Sequence, residues 1–455
     1  MPAANRSNAI NIKDEGMWGY GLNFCYVLLL FVLSPYLLYT AIRKKKYRDG
    51  WAEKFLGLCP RRSSSKPCIW LHAVSVGEIQ LLAPLIRQLA EQDPTIECVI
   101  STTTRTGRFL AEKKFPRHLV FYCPLDFTWA IHNAIGRIRP DLLVLSELEL
   151  WPNLIFSAYR RSIPTVVING RLSEKSFRGY RRLQPMVGKM LNCLQRIIVQ
   201  NKEYAERFLQ LGATTAQVKI TGSIKFDGAE SNRQNSTTTN LSKLSNLNSD
   251  DIIFLAGSTQ HPEESMAIET FLALQAEYPK LKLILVPRHP ERFEEVGKLL
   301  DSAELRWQRR TLLSDNEGPA LDARILLIDT VGELGAWWGR ADIGFVGGSF
   351  GSRGGQNMIE PAAYGVAVCF GPHTQNFRDI VRALQSADAA TVIANGEELT
   401  DFVHRCIQDS EYRKMMGQRA SSLVASSRGA TEQTVTCLLE AVGLSQKLLV
   451  KSTAA

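Results

Sequence analysis

The stretch CIWLHAVSVGEIQLLAPLIRQLAEQ, residues 68–92, decides the fold. Its first part, CIWLHAV, is apolar on both faces, as a parallel strand covered on both sides must be. Its second part, EIQLLAPLIRQLAEQ, carries Leu and Ile at helical spacing, with Pro84 predicting irregular early turns. Between them Ser75 and Glu78 form S-x-x-E, the pattern of a helix capping box. The same unit recurs along the chain. ECVISTT (97–103), LVFYCPL (119–125), DLLVLSE (141–147), TVVING (165–170) and RIIVQ (196–200) are each strand-like and separated by helical stretches. After a polar break the alternation resumes with IIFLAGS (252–258), LKLILVPR (281–288), RILLIDT (324–330), IGFVGGS (343–349) and VAVCFGP (366–372). Repeated βαβ units predict an α/β fold of two Rossmann-like, doubly wound domains flanking a cleft, with ligands at the carboxyl ends of the strands.

The expected boundaries follow from texture. Residues 50–227 form an amino-terminal domain, the Ser/Asn/Thr-rich 228–251 a linker, 252–425 a second domain and 426–455 a closing helical segment. A length of 455 residues suits more than one core. The 54 Lys+Arg against 45 Asp+Glu leave a charge of +9, suited to anionic ligands or surfaces. Nine cysteines without a C-x-x-C pair or a Cys/His metal spacing read as reduced, mostly buried thiols of a cytosolic compartment. Residues 21–42, GLNFCYVLLLFVLSPYLLYTAI, hold no charge and precede RKKKYR (43–48). That pattern predicts a single-pass amino-terminal transmembrane anchor with the rest of the chain on the cytoplasmic face.

Three strand ends carry chemistry. IGFVGGSFGSRGGQNMIEPAAYG (343–365) places Gly347, Gly348 and Ser349 at a strand end and a helix start near Asn357. Such a turn suits a phosphate, or else is a flexible loop in which Asn357 and Glu360 form a cap-like pair. It matches neither a P-loop nor a first-strand dinucleotide fingerprint, which lowers nucleotide hydrolysis and NAD binding. VPRHPERF (286–293) presents Arg288 beyond a strand, as an anion contact or a solvated turn. LSELELWPN (145–153) presents Glu147 and Glu149, either solvated strand-end carboxylates or members of a glycosidase-type site, with no local His or Asp to complete a metal site. The run GRLSEKSFRGYRR (170–182) gathers Arg171, Lys175, Arg178, Arg181 and Arg182 with Phe177 and Tyr180. It is either a solvated helix face or a contact for lipid phosphates and an anionic membrane.

Taken in order, HAVSVGE, ELELWPN, INGRLSEKSF, TGSIKFD, AGST, VPRHPERF, DTVGELG and GGQNMIEPAAYG resemble the Kdo transferases of Gram-negative lipopolysaccharide synthesis. The resemblance implies the two-domain glycosyltransferase fold called GT-B and transfer of 3-deoxy-D-manno-octulosonic acid from CMP-Kdo to a lipid A precursor at the bacterial inner membrane. It implies Glu78 as general base, with Glu147 and Lys225 assisting the transition state. Pro287, Arg288, Val331, Gly332, Glu333, Asn357, Met358, Ile359 and Glu360 resemble the CMP-contacting segments. CMP-Kdo is then a co-substrate, and no metal, other cofactor or nucleic acid is implied. The chain departs from the family at Ser223-Ile224, Gln356, Met358 and the position of His261. A capping role would turn Glu78 back on Ser75, in competition with the base. Two other readings remain, a GT-B enzyme using a UDP-sugar and a membrane-anchored non-catalytic scaffold.

Overall fold

The computed structural model describes residues 12–43, 49–313 and 323–453. They form two compact units, one of residues 1–227 with 429–455, the other of 228–428.

In the first unit the strands are β1 (Cys68–His72), β2 (Glu97–Thr102), β3 (Leu119–Tyr122), β4 (Leu142–Ser146), β5 (Thr165–Gly170), β6 (Arg196–Val199) and β7 (Val218–Ile220). They are all parallel and lie in the order β3-β2-β1-β4-β5-β6-β7. Every residue of β1, β4 and β5 is buried, because helices cover both faces of the sheet. Chain order reverses between β1 and β4, so the crevice beyond their carboxyl ends is the switch point where such sheets hold ligands. Trp70, Phe121, Leu143 and Phe208 fill one face, and Ile69, Leu71, Leu85 and Ile168 the other.

The second unit repeats the plan with β8 (Ile252–Thr259), β9 (Leu281–Pro287), β10 (Trp307–Arg309), β11 (Ile325–Leu327), β12 (Ile343–Val346), β13 (Ala367–Phe370) and β14 (Ala390–Val392). Its parallel order is β10-β11-β9-β8-β12-β13-β14, with the reversal between β8 and β12. Phe254, Phe271 and Phe345 anchor its core.

Four expectations need correction. The polar stretch 228–251 is no linker. It belongs to the second unit and holds a helix, Ser236–Leu244, whose Thr238 and Leu241 are buried. Arg233 donates to the carbonyls of Tyr364 and Ala341, so polar side chains here serve as internal ties. The closing segment is not separate either. From Gly429 the chain returns to the first unit, where Asp227 accepts from the amides of Gly429 and Thr431 and Val435 and Leu438 enter the core. The helix Val76–Gln92 contains Pro84 without interruption.

The fourth correction concerns the apolar run 21–42. It lies in a helix, Ile12–Arg43, but among the described residues no helix is long and apolar enough to cross a membrane. Spanning needs about 20 free apolar residues, and the early turns of this helix are committed elsewhere. Asn23 Nδ2 donates to Thr128 Oγ1 at 2.7 Å and Tyr26 donates to Asp126 at 3.1 Å. The basic flank 44–48 lies outside the described residues. All nine cysteines are free, and all but Cys25 are buried.

Candidate active site

At the switch point of the first sheet, β1 leads through Ala73 and Val74 into the helix Val76–Gln92, and the capping box forms. Ser75 Oγ accepts from the amide of Glu78, while Glu78 Oε1 accepts from the amide of Ser75 at 3.2 Å and its hydroxyl at 2.7 Å. Glu78 Oε2 accepts from the amide of Val74 at 3.0 Å. The side chain is buried, and burial raises its pKa; Ser75 and Val74 oppose the shift, and the Glu147 charge adds to it. The competition expected from the sequence takes a different form. A carboxylate offers about four lone-pair sites, and three donors leave room for one more. Capping fixes this side chain without exhausting it.

Glu147 follows β4 with a left-handed backbone, φ 53°, a strained geometry for a non-glycine residue that costs on the order of 1 kcal/mol and gathers at functional sites. Its Oε1 lies 3.2 Å from Lys225 Nζ. Lys225 sits on the turn Ile224–Phe226, which Ser223 caps by accepting from the Lys225 amide. Asn169, at the end of β5 and also left-handed with φ 52°, accepts from the Ile224 amide and steadies that turn. Nothing in the sequence singled out Asn169, although an Asn-Gly pair at a strand end is the signal for such a backbone. Glu149 takes a different partner from Glu147. Its Oε2 accepts from Trp151 Nε1 at 2.7 Å, and burial raises its pKa, with Trp151 opposing. Glu78, Glu147 and Lys225 thus share one crevice, with Glu149 beside them. His72, unmarked by the sequence reading, ends β1 with Nδ1 on Ser101 and a buried Nε2 lacking a protein partner. Burial pushes its pKa down to about 4, so the ring is neutral at pH 7.

In the second unit the glycine-rich turn holds a surprise. The carboxylate of Glu263, fully buried, accepts from the amides of Gly348, Ser349 and Phe350 at 2.7, 2.8 and 3.1 Å, and from Gln260 at 2.8 Å. A Cβ at Gly347 would stand 2.7 Å from Glu263 Oε2 and 2.6 Å from Thr259 Cα. The glycine at 347 is therefore required by the backbone of Ser258 and Thr259 as well as by an internal carboxylate, and the amides expected to cradle a phosphate are already used. Arg288 projects from the end of β9, its amide on the Thr259 carbonyl. Partial burial lowers its pKa, the neighbouring Arg353 lowers it further, and Glu360 opposes. Asn357 donates to Glu360 Oε1 at 2.9 Å, and burial raises the pKa of Glu360 against the help of Asn357 and Arg288. Arg288, Arg353, Asn357 and Glu360 thus form one cluster. Met358 and Ile359 are buried, so their side chains belong to the core, as does Pro287 at the end of β9. Glu333 is paired with Arg310 through both oxygens at 3.0 Å, Gly332 has φ 98°, and Val331 is 79% exposed. Among the described residues no group of His, Cys, Asp and Glu could hold a metal ion.

The basic run becomes the helix Glu174–Arg181. Lys175, Arg178, Arg181 and Arg182 are exposed, whereas Arg171 is half-buried, and Arg178 pairs with Glu174 at 2.9 Å. Phe177 is buried in the core and Tyr180 packs against it, so the aromatic part of the expected basic–aromatic surface faces inward. The exposed apolar residue beside the arginines is Leu183.

Residues 49–228 match the family described as 3-Deoxy-D-manno-octulosonic-acid transferase (kdotransferase). The chain is also 33% identical over 433 residues to the 3-deoxy-D-manno-octulosonic acid transferase of Haemophilus influenzae, covering 93% of this chain and 98% of that one. The chain belongs to the Kdo transferase family. A second transferase of the same description, from Bordetella pertussis, is 33% identical over 92% of this chain and 99% of its own. Among solved structures, a glycosyltransferase from Rickettsia africae has a TM-score of 0.54 at 12% identity, over 84% of this chain and all of that one. At that identity the likeness concerns the fold alone, and it agrees with the two parallel-sheet domains of this Kdo transferase. The family carries glycosyl transfer in lipopolysaccharide synthesis, which makes this chain an enzyme and removes the scaffold reading.

Proposed function

We propose that this transferase moves Kdo from CMP-Kdo to a lipid A precursor by a single inverting displacement with Glu78 as general base. The observation that carries this reading is the Glu78 carboxylate, buried at the switch point of the first sheet with its proton affinity raised and one acceptor position open. The acceptor hydroxyl gives its proton to Glu78 as its oxygen bonds to the anomeric carbon. The bond from that carbon to the CMP phosphate oxygen breaks, and CMP leaves with the electron pair. Lys225, held by Glu147, supplies positive charge for the sugar carboxylate or the departing phosphate.

The donor's nucleotide falls to the Arg288, Arg353, Asn357 and Glu360 cluster. The Arg353 charge disfavours the charged form of Arg288, and a bound anion relieves that repulsion. Glu360 can accept from ribose hydroxyls. Arg288→Ala therefore raises the Kd for CMP by roughly thirtyfold, the loss of one or two charge-assisted hydrogen bonds. Calorimetry with CMP checks this, and an unchanged Kd contradicts it. Turnover with CMP-Kdo and none with UDP-sugars distinguishes this reading from the UDP-sugar alternative.

Acceptor delivery requires a membrane surface. Phe24, Val27, Phe31 and Val32 of the amino-terminal helix are exposed, and so are Arg178, Arg181 and Arg182. Basic residues near an anionic surface contribute about 1 kcal/mol each. Neutralising all three arginines raises the acceptor KM on anionic mixed micelles by roughly a hundredfold and leaves the KM for CMP-Kdo unchanged. Equal kinetics on anionic and neutral micelles would mark a merely solvated face.

A further inference from the structure

Beside the carboxylate crevice, within the first unit, lies a cavity of about 390 Å³. Leu29 and Leu30 of the helix Ile12–Arg43 form one wall, and Leu125 and Phe127 of the segment after β3 another. Leu150 and Trp151, from the segment after β4, close it. Its volume falls in the range of small-ligand sites, about 300–1,000 Å³. No Lys or Arg lines it, so it offers nothing to a phosphate.

Two of the carboxylates that reach it are bonded within the protein. Asp126 accepts from Tyr26, from the amide of Asn153 at 3.0 Å and from that of Leu154 at 3.0 Å. Glu149 accepts from Trp151. With those bonds made, the leucines, Phe127, Pro152 and the ring of Trp151 make most of the lining carbon, with Tyr180 beside them, and an apolar occupant displaces water from it most favourably. Two further facts orient that occupant. Glu149 lines the cavity and stands two residues from Glu147, the partner of Lys225. The helix that supplies Leu29 and Leu30 also exposes Phe24, Val27, Leu28 and Phe31, an apolar surface contiguous in sequence with the cavity wall.

We infer that this cavity is an acyl-chain subsite. It rests on the transfer reading given above and adds to it that the acceptor is recognised by one of its fatty chains as well as by its sugar. The chain enters along the exposed helix and lies against Leu30, Leu125 and Trp151. The sugar hydroxyl is thereby held at the Glu78 end of the crevice. The amino-terminal helix is on this account part of the substrate site.

Two measurements on the full-length protein test it. In the first, Kdo transfer is followed with an acylated lipid A precursor and with the same phosphorylated disaccharide stripped of its chains. The wild type shows a KM at least tenfold lower for the acylated acceptor. Leu30→Trp and Leu125→Trp, which fill the cavity from opposite walls, abolish that preference and leave the KM for the stripped acceptor and for CMP-Kdo unchanged. In the second, brominated dodecanoate quenches tryptophan fluorescence, and Trp151→Phe removes most of the quenching. Equal KM values for the two acceptors in the wild type, or variants that weaken both alike, overturn the proposal. So does quenching that survives in Trp151→Phe. Absence of transfer to either acceptor with Trp151-dependent quenching retained would instead overturn the transfer reading and keep the chain-binding cavity.

Discussion

Glu78→Gln lowers kcat for Kdo transfer by roughly a thousandfold, the scale of a lost general base, and leaves the fold intact. The reason for both halves is the capping box. Glutamine also occurs at this position of the motif; its one oxygen keeps the Ser75 amide bond of the capping box while the Val74 bond is lost, so the helix Val76–Gln92 keeps its closure at a small cost and the proton acceptor is gone. Ser75→Ala provides the reverse. It removes the Ser75 Oγ bonds to the Glu78 amide and carboxylate, costing about 1 kcal/mol of stability, but leaves the base in place. The pH profile gives an independent reading. Burial raises the pKa of Glu78, and a protonated carboxyl cannot accept the acceptor's proton, so activity falls as pH drops through a value above the usual carboxylate range. Ser75→Ala moves that limb upward, because the Ser75 hydroxyl favours the ionised form. Transfer rates and thermal melts of the two variants, measured together, separate cap from base.

Glu263→Ala has the largest expected effect on stability. It leaves the amides of Gln260, Gly348, Ser349 and Phe350 without their acceptor in a buried site, at about 1–3 kcal/mol for each that water cannot reach. A loss of roughly 3 kcal/mol or more is expected in urea unfolding, together with weakened CMP binding as the turn leading to Asn357 loosens. Glu263→Gln is not a rescue, since one oxygen becomes an NH₂ that faces N–H donors. A midpoint like that of the wild type in both variants would show that the turn holds itself.

Glu263 also illustrates where the sequence stops being readable. The glycines at 347 and 348 were visible as a demand for close approach, but a glycine does not name what approaches it. The visitor expected was a phosphate; those found are the backbone at the end of β8 and a carboxylate from the start of the helix Glu263–Leu274, far earlier in the chain, a long-range contact that no local pattern encodes. The strands behaved otherwise. β1, β4 and β5 are buried on both faces, so their composition declared the parallel sheet and with it the switch point beside Glu78 and Glu147. The apolar helix at the amino terminus misled for a related reason. Hydropathy counts residues and is blind to Asn23 and Tyr26 being spent on Thr128 and Asp126. In the polar stretch 228–251 the error ran the opposite way, since Arg233 and Asn235 are polar because they bind backbone and Tyr364.

Mass spectrometry of a lipid A precursor incubated with CMP-Kdo and the purified enzyme tests the central claim most directly. The account predicts a product heavier by Kdo with the wild type and with Ser75→Ala, and only trace product with Glu78→Gln over the same time. Product formed by Glu78→Gln at the wild-type rate, or none formed by the wild type, would contradict it.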